Sequence, residues 1–239
     1  MKLDALFFAA HPDDAELSCG GTIIKMVKSG KKAGIIDLTQ GELGTRGSKS
    51  IRASEAKDAQ KILGLSIREN LKIKDGQIEN SPRNRLKIIS VIRTFQPSII
   101  FMPYHNDRHP DHINANKLIK ESAFYSGLQK ISTKKNGKTQ SPHRPRKNFF
   151  YMQTYTFEPS FIIDITDEFS QKMEAVKSYG SQFYKPGNKK PETFISSRNF
   201  IEYIEARARF YGFMIGTKYG EPFYTPEKIR LNNDNLFDQ

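Results

Sequence analysis

Two nearly continuous apolar runs, each followed by a polar turn and a helical pattern, constrain the fold of this chain most. The first run covers residues 3–10 and the second covers residues 98–103. Runs of this kind are typical of strands that are covered on both faces of a parallel sheet. Strand and helix patterns alternate along the rest of the chain. This alternation predicts an α/β fold, namely a Rossmann-like, doubly wound, mostly parallel sheet with helices on both faces.

The predicted elements follow one another without a linker-like segment, so we expect a single domain over residues 1–239. Strands are predicted at residues 3–10, 33–38, 70–73, 98–103, 149–157 and 161–165. Helices are predicted at residues 14–29, 52–63, 82–94, 110–126, 166–178 and 197–213.

Both apolar runs lead into nearly identical tetrads, His-Pro-Asp-Asp at residues 11–14 and His-Pro-Asp-His at residues 109–112. Three of the five histidines of the chain lie in these tetrads, a concentration that favours a chemical role. The carboxyl ends of the strands in an open parallel sheet line the ligand crevice. We therefore expect the two tetrads to meet in space, although about a hundred residues separate them.

The tetrads contain the residue types of a catalytic metal site. His11 and Asp14 can bind one ion from the first turn, and His112 can reach it from the second. Two imidazoles and one carboxylate leave a position of Zn²⁺ open for water, and Fe²⁺ suits the same ligands. Asp13 is then placed to act as general base, and His109 to stabilise an oxyanion. One tetrad alone would fit a helix cap equally well, but its second copy favours the metal site.

The positive charge of the chain is concentrated in one segment. The formal net charge is +12, and no acidic residue lies between Glu121 and Glu158, whereas residues 130–147 carry seven lysines and arginines. We interpret this basic segment as an exposed loop. Contact with an acidic small molecule is the second interpretation. Nucleic-acid binding is the third, because aromatic residues are not interleaved with the basic ones.

Other classes of protein find less support in the sequence. No apolar stretch is long enough to span a bilayer, and the first residues resemble a strand more than a signal peptide, so we expect a cytoplasmic protein. The lone Cys19 is either a nucleophile or a small residue packed in a helix, and we favour packing. The glycine spacing of a dinucleotide-binding turn and the G-x-S-x-G motif of serine hydrolases are both missing.

Taken with the tetrads, several further segments make the chain resemble the PIG-L/LmbE family of zinc-dependent N-acetylglucosaminyl deacetylases. The resemblance runs nearly from end to end. It includes residues 11–16, 37–39, 41–43, 52–56, 102–104, 107–112, 181–184, 200–208 and 218–221. The tetrads are shared by the whole family, whereas the C-terminal segments resemble the branch that acts in bacillithiol biosynthesis.

The resemblance implies a substrate and roles for further residues. The substrate of that branch is N-acetylglucosaminyl-malate, an anionic sugar conjugate that loses acetate. Zinc would be held by the three ligands named above, with Asp13 as base and His109 near the oxyanion. Arg52 would contact the sugar or malate, or else pair with a neighbouring carboxylate, and Arg108 would contact the malate carboxylates. Another N-acetylglucosamine conjugate and a thiol S-conjugate amide are the alternative substrates. Members of this family are often homo-oligomers, so we expect this protein to form one.

Overall fold

The computed structural model describes residues 1–187 and 190–230, which form a seven-stranded sheet, a separate two-stranded hairpin, six α-helices and one 3₁₀ helix. The strands are β1 Ala5–Ala9, β2 Ala33–Asp37, β3 Ile67–Asn70, β4 Ile99–Pro103, β5 Lys134–Lys135, β6 Lys138–Thr139, β7 Lys147–Tyr151, β8 Phe161–Asp164 and β9 Gly220–Tyr224. The helices are α1 Asp14–Lys28, α2 Lys49–Leu63, α3 Pro82–Phe95, α4 Pro110–Tyr125, α5 Phe169–Lys177 and α6 Phe200–Met214, and the 3₁₀ helix is Phe194–Ser196.

The order of the strands in the large sheet is β3-β2-β1-β4-β7-β9-β8. The first five strands are parallel, and β9 runs antiparallel to both of its neighbours. The chain proceeds from β1 toward one edge and then returns to place β4 on the other side of β1. This change of direction creates the crevice at the carboxyl ends of β1 and β4. The predicted mostly parallel, doubly wound sheet is confirmed.

The first apolar run is buried because its side chains enter two different cores. Leu6 and Phe8 pack on one face of the sheet, in a core that includes residues of α3 and α4. Phe7 and Ala9 pack on the other face, with residues of α1. Alternate side chains of a strand point to opposite faces, so a strand covered on both faces requires an apolar residue at every position.

Two strand predictions need correction. The third strand covers Ile67–Asn70 and not residues 70–73. The strand can include the charged residue Arg68 because its guanidinium forms an ion pair with the buried Asp37 of β2. The left-handed backbone of Lys72, with a φ of 51°, follows the end of the strand. The strand predicted at residues 149–157 already ends at Tyr151, and the remaining residues form a loop at the crevice. In addition, β9 was not predicted, since it contains Pro222 and has no apolar alternation.

Helix predictions are correct in place and differ at the ends. Helix α2 begins at Lys49 and not at residue 52, because the hydroxyl of Ser48 accepts a hydrogen bond from the Ile51 N–H (3.3 Å) and caps it. Helix α5 begins at Phe169, and α6 begins at Phe200 after a separate 3₁₀ turn. Among the described residues, no helix is both long and apolar enough to cross a membrane.

Most of the basic segment of residues 130–147 is exposed, as predicted. It is not wholly a loop, because it contains the hairpin of β5 and β6, and it lies far from the tetrads. Its end lies beside the residue that precedes β4, where the Arg146 N–H donates to the Ser98 carbonyl (2.8 Å). The buried Arg93 guanidinium donates to the carbonyls of Leu128 and Ile131 and fixes the start of the segment. These contacts place it at the opposite end of the sheet from the crevice. Within one chain, therefore, the segment does not border the crevice, and contact with an acidic small molecule elsewhere stays a prediction.

Helix α1 is kinked at Cys19, where φ is −141° and ψ is 24°. The carboxylate of Glu221 in β9 caps the second half of the helix by accepting hydrogen bonds from the N–H groups of Gly21 (2.9 Å) and Thr22 (2.7 Å). Lys172 of α5 neutralises this carboxylate at 2.7 Å, and all these groups are buried. Burial raises the pKa of the Cys19 thiol well above its usual value, so we interpret Cys19 as a packed residue.

Candidate metal centre and active site

The two tetrads meet at the carboxyl ends of β1 and β4. Ligand atoms of His11, Asp14 and His112 all lie within 4.8 Å of one another. The Asp14 carboxylate stands between the imidazoles, 3.5 Å from His11 Nδ1 and 3.4 Å from His112 Nε2. The structure thus brings together the three residues that the sequence predicts as metal ligands.

A carboxylate lies behind each of these imidazoles. His11 Nε2 is 3.0 Å from Asp75 Oδ1, and His112 Nδ1 is 2.9 Å from Asp107 Oδ1. In both rings the carboxylate holds the nitrogen on the far side from Asp14. The nitrogen that faces Asp14 is then free to offer its lone pair, an arrangement that is usual for histidines that bind metals.

The electrostatics of this cluster favour a cation at its centre. Burial lowers the pKa of His112, but Asp14 and the hydrogen bond to Asp107 outweigh it and raise this pKa to about 9. Burial also opposes ionisation of Asp107, yet hydrogen bonds from His112 and from two backbone N–H groups lower its pKa to about 2. Anionic oxygens around two imidazoles form a donor set that fits Zn²⁺ or Fe²⁺.

Asp13 adjoins this cluster in a strained backbone conformation, with a φ of 112°. Its buried carboxylate accepts a hydrogen bond from Arg52 Nη2 at 2.9 Å. Burial raises the pKa of Asp13 to about 7, against the opposing charge of Arg52. A carboxylate with a pKa near neutrality can take up and return a proton at physiological pH.

Arg52 forms an ion pair with the Asp13 carboxylate. Pairing with a neighbouring carboxylate was one of the two roles that the sequence left open for it. Its guanidinium also donates to the carbonyls of Pro12 and Gly41. Gly41 has a φ of 64°, and a Cβ there would lie 2.0 Å from Arg52 Nη1, so only glycine leaves room for the guanidinium. Arg52 borders the cavity, and a contact with substrate stays a prediction.

His109 is the N-cap of α4, and its Nδ1 accepts a hydrogen bond from the Asp111 N–H (3.2 Å). The other ring nitrogen, Nε2, therefore carries the proton of the neutral ring and is a donor. Burial and the neighbouring His11 and His112 lower the pKa of His109, which favours this neutral form. Its ring centroid is 4.8 Å from those of both His11 and His112.

A cavity of about 430 Å³ opens over the cluster. The exposed Arg108 lies at its edge, with its guanidinium 4.5 Å from the centroid of the Phe194 ring. Among the described residues, Arg108 has no carboxylate partner. The lining also includes residues from several other elements: Leu17, Ser18, Leu43, Asp75, Gln153, Gln182, Phe200, Ile204 and Arg207.

Two buried carboxylates of the site were not predicted from the sequence. Asp107 precedes the second tetrad by only two residues, so its proximity was a usable signal. Asp75 lies in a turn before Gly76, and nothing in its surroundings in the sequence distinguishes it. Its position beside His11 depends on the N–H of Leu43, which donates to Asp75 Oδ2 at 2.9 Å.

Comparison with known proteins gives a consistent result. Residues 6–123, which include both tetrads, match the family model described as PIG-L: GlcNAc-PI de-N-acetylase. A diacetylchitobiose deacetylase of Thermococcus kodakarensis is 31% identical over 221 residues, and the match covers 88% of this chain and 78% of that relative.

Solved structures show the same similarity. A conserved protein of Thermus thermophilus has a TM-score of 0.87 and 35% sequence identity, over 97% of this chain and 98% of that one. The N,N′-diacetylchitobiose deacetylase of Pyrococcus horikoshii, solved with an inhibitor, has a TM-score of 0.78 and 27% identity, over 92% of this chain and 82% of its own. The similarity therefore extends beyond the tetrads to nearly the whole chain.

Proposed function

The chain belongs to the PIG-L family of GlcNAc-PI de-N-acetylases, and we propose that it is a metal-dependent hydrolase that removes the acetyl group from an N-acetylglucosamine conjugate. The observation that carries this proposal is the buried cluster of His11, Asp14 and His112 with Asp13 beside it. The cluster offers a place for a metal ion, and Asp13 offers a base next to it.

The reaction is hydrolysis of an amide, in which water and the N-acetyl group become acetate and a free amine. His11, Asp14 and His112 would hold a divalent ion, in our proposal Zn²⁺, and this ion would supply Lewis acidity to the water and to the acetyl carbonyl. Asp13 accepts a proton from the attacking water as the new C–O bond forms. His109 donates a hydrogen bond to the carbonyl oxygen as it gains negative charge. The C–N bond then breaks, and the departing amine receives the proton that Asp13 took up.

For the substrate, we propose N-acetylglucosaminyl-malate, as in bacillithiol biosynthesis. The exposed guanidinium of Arg108 at the cavity edge supports an anionic aglycone. An N-acetylglucosamine oligomer is the second candidate, because two of the relatives are named as diacetylchitobiose deacetylases. A thiol S-conjugate amide is the third. Nucleic-acid binding by the basic segment has no support beyond its charge, and a homo-oligomer stays a prediction.

Replacing Arg108 with glutamine should separate the first two substrates. We expect KM for N-acetylglucosaminyl-malate to rise about tenfold or more, because a hydrogen bond to a charged group contributes about 1.5–3 kcal/mol. KM for the uncharged diacetylchitobiose should stay the same. Lys138→Gln is the matched control, since it removes one exposed charge from the hairpin at the opposite end of the sheet. Equal effects of Arg108→Gln on both substrates would contradict a contact with the malate.

Asp107 should affect metal binding although it is not one of the proposed ligands. With Asp107→Ala, His112 loses the carboxylate that fixes its ring, and we expect zinc affinity to fall about 10–100-fold. Competition with a chromophoric chelator measures this affinity. Asp167→Ala, at an exposed position away from the cavity, serves as the control. Unchanged zinc affinity in a folded Asp107→Ala protein would contradict the role that we assign to this carboxylate.

A further inference from the structure

Gln153 is a polar residue of the site to which neither the tetrads nor the proposed reaction assigns a role. It lies in the loop that follows β7 and lines the cavity. Its amide nitrogen, Nε2, is 3.4 Å from His112 Nε2. This is the nitrogen of His112 that faces Asp14. The amide of Gln153 therefore borders the centre of the ligand cluster.

The backbone around Gln153 is fixed from both sides. Arg207 of α6 donates one hydrogen bond to the carbonyl of Gln153 and another to that of Leu17 in α1 (3.0 Å). The N–H of the next residue, Thr154, donates to Asp107 Oδ2 at 2.8 Å. The loop is thus tied to both helices and to the carboxylate that holds His112. A side chain on such a support is presented to the site with little freedom to move away.

The hydrogen-bonding capacity of this amide is largely unused. Its separation from His112 Nε2 is longer than the 2.7–3.2 Å of a good N–H hydrogen bond. Its carbonyl oxygen, Oε1, is buried and has no partner among the described residues. A glutamine amide offers two donors and one acceptor, and buried polar groups are rarely left unpaired. The opposite orientation of the amide would bury two unpaired N–H groups in place of one oxygen.

We propose that Gln153 is a further catalytic residue, whose amide N–H donates a hydrogen bond to the acetyl carbonyl oxygen as that oxygen becomes negative. This inference rests on the proposed deacetylation. The carbonyl must approach the ligand cluster to react, and the Nε2 donors of Gln153, held only by a long contact with His112, border that cluster. Gln153 and His109 then form a pair of neutral donors supplied by two different loops. Such donors stabilise charge that develops in the transition state more than they stabilise the bound substrate.

Gln153→Leu removes the donors and keeps much of the volume, and Gln153→Glu keeps the shape and replaces the donor with an acceptor. We expect each variant to lower kcat by about 10²–10³, as the loss of an oxyanion donor does in other hydrolases. KM should change by less than about threefold, since the contact forms mainly in the transition state. Zinc affinity of Gln153→Leu should stay at the wild-type value, because none of the ligands is altered and leucine adds no new one.

A binding measurement makes the test independent of turnover. On zinc-loaded protein, a methylphosphonamide analogue of the N-acetyl group should bind about 10²–10³-fold more weakly to Gln153→Leu than to the wild type. Binding of the deacetylated amine should stay the same. Wild-type kcat and analogue binding in both variants would overturn the proposal. So would a fall in zinc affinity that parallels the loss of kcat, because Gln153 would then only position His112. If the wild-type protein itself releases no amine, the proposed function fails first.

Discussion

Replacing Asp13 with asparagine is expected to lower kcat for amine release by about two to four orders of magnitude while the protein retains its zinc. Asparagine preserves the size of the side chain, but its amide cannot take the proton from water. The carboxylate of Asp13 is buried, borders the cavity and has a pKa of about 7, which suits proton transfer near neutrality. Asp13 is also outside the candidate ligand groups among the described residues, so its loss should spare the metal.

The Asp13→Asn variant must be compared with the wild-type protein in both activity and metal content. Kinetic measurement gives kcat, and elemental analysis of the same preparation gives zinc per chain. Asp13→Asn leaves Arg52 without its anionic partner, so thermal unfolding should be recorded to show that the variant is folded. Asp167→Asn at the surface is the matched control. A folded Asp13→Asn protein with full activity would exclude Asp13 as the base.

The second large effect is on the stability of the fold, and it comes from a buried ion pair, Glu221 with Lys172, that does not line the cavity. Glu221→Gln should reduce the free energy of unfolding by about 3–5 kcal/mol, because it leaves the buried Lys172 ammonium without a counter-charge. Glu221 and Lys172 are both almost completely buried, and the carboxylate also caps the second half of α1. Glutamine keeps one acceptor oxygen and replaces the other with an amide NH₂, so the loss combines the missing charge with one of the two capping hydrogen bonds.

Denaturant unfolding measures this loss, provided that the transition is two-state. The double variant Lys172→Met/Glu221→Gln should recover much of it, since no buried charge is then left unpaired. The control is Asp58→Asn, which breaks an exposed pair with Lys61 at 2.8 Å and should change stability by at most about 1 kcal/mol. If Glu221→Gln cost no more than Asp58→Asn, the buried pair would not stabilise the fold as described.

These residues also show how far the sequence predicts this molecule. Both halves of the site were predictable, because an apolar run, a turn and a helix start place each tetrad at the carboxyl end of a strand. Asp75 was not predictable, since its place beside His11 depends on a hydrogen bond from the N–H of Leu43, which lies 32 residues earlier in the chain. Nor was β9 predictable, because Glu221 has a buried partner only after α1, α5 and the sheet come together. Burial of charged residues depends on such tertiary pairing, which a local pattern does not contain.

Gln153 illustrates the same limit within the site. Sequence patterns placed it inside a longer strand, whereas β7 ends at Tyr151 and leaves Gln153 in a loop. Just after the end of the strand, Arg207 donates a hydrogen bond to the Gln153 carbonyl, and the Thr154 N–H donates to Asp107. Those contacts come from residues far away in the chain, so no local signal marks the end of the strand.

Metal removal and restoration tests the central claim most directly. Amine release from N-acetylglucosaminyl-malate and from diacetylchitobiose should be measured on the purified protein, after chelation, and after zinc is added back. We predict that at least one of these conjugates is deacetylated, that chelation abolishes the reaction, and that one equivalent of zinc restores it. Undiminished activity in protein shown to be metal-free would contradict the account, as would zinc-loaded protein that releases amine from neither conjugate.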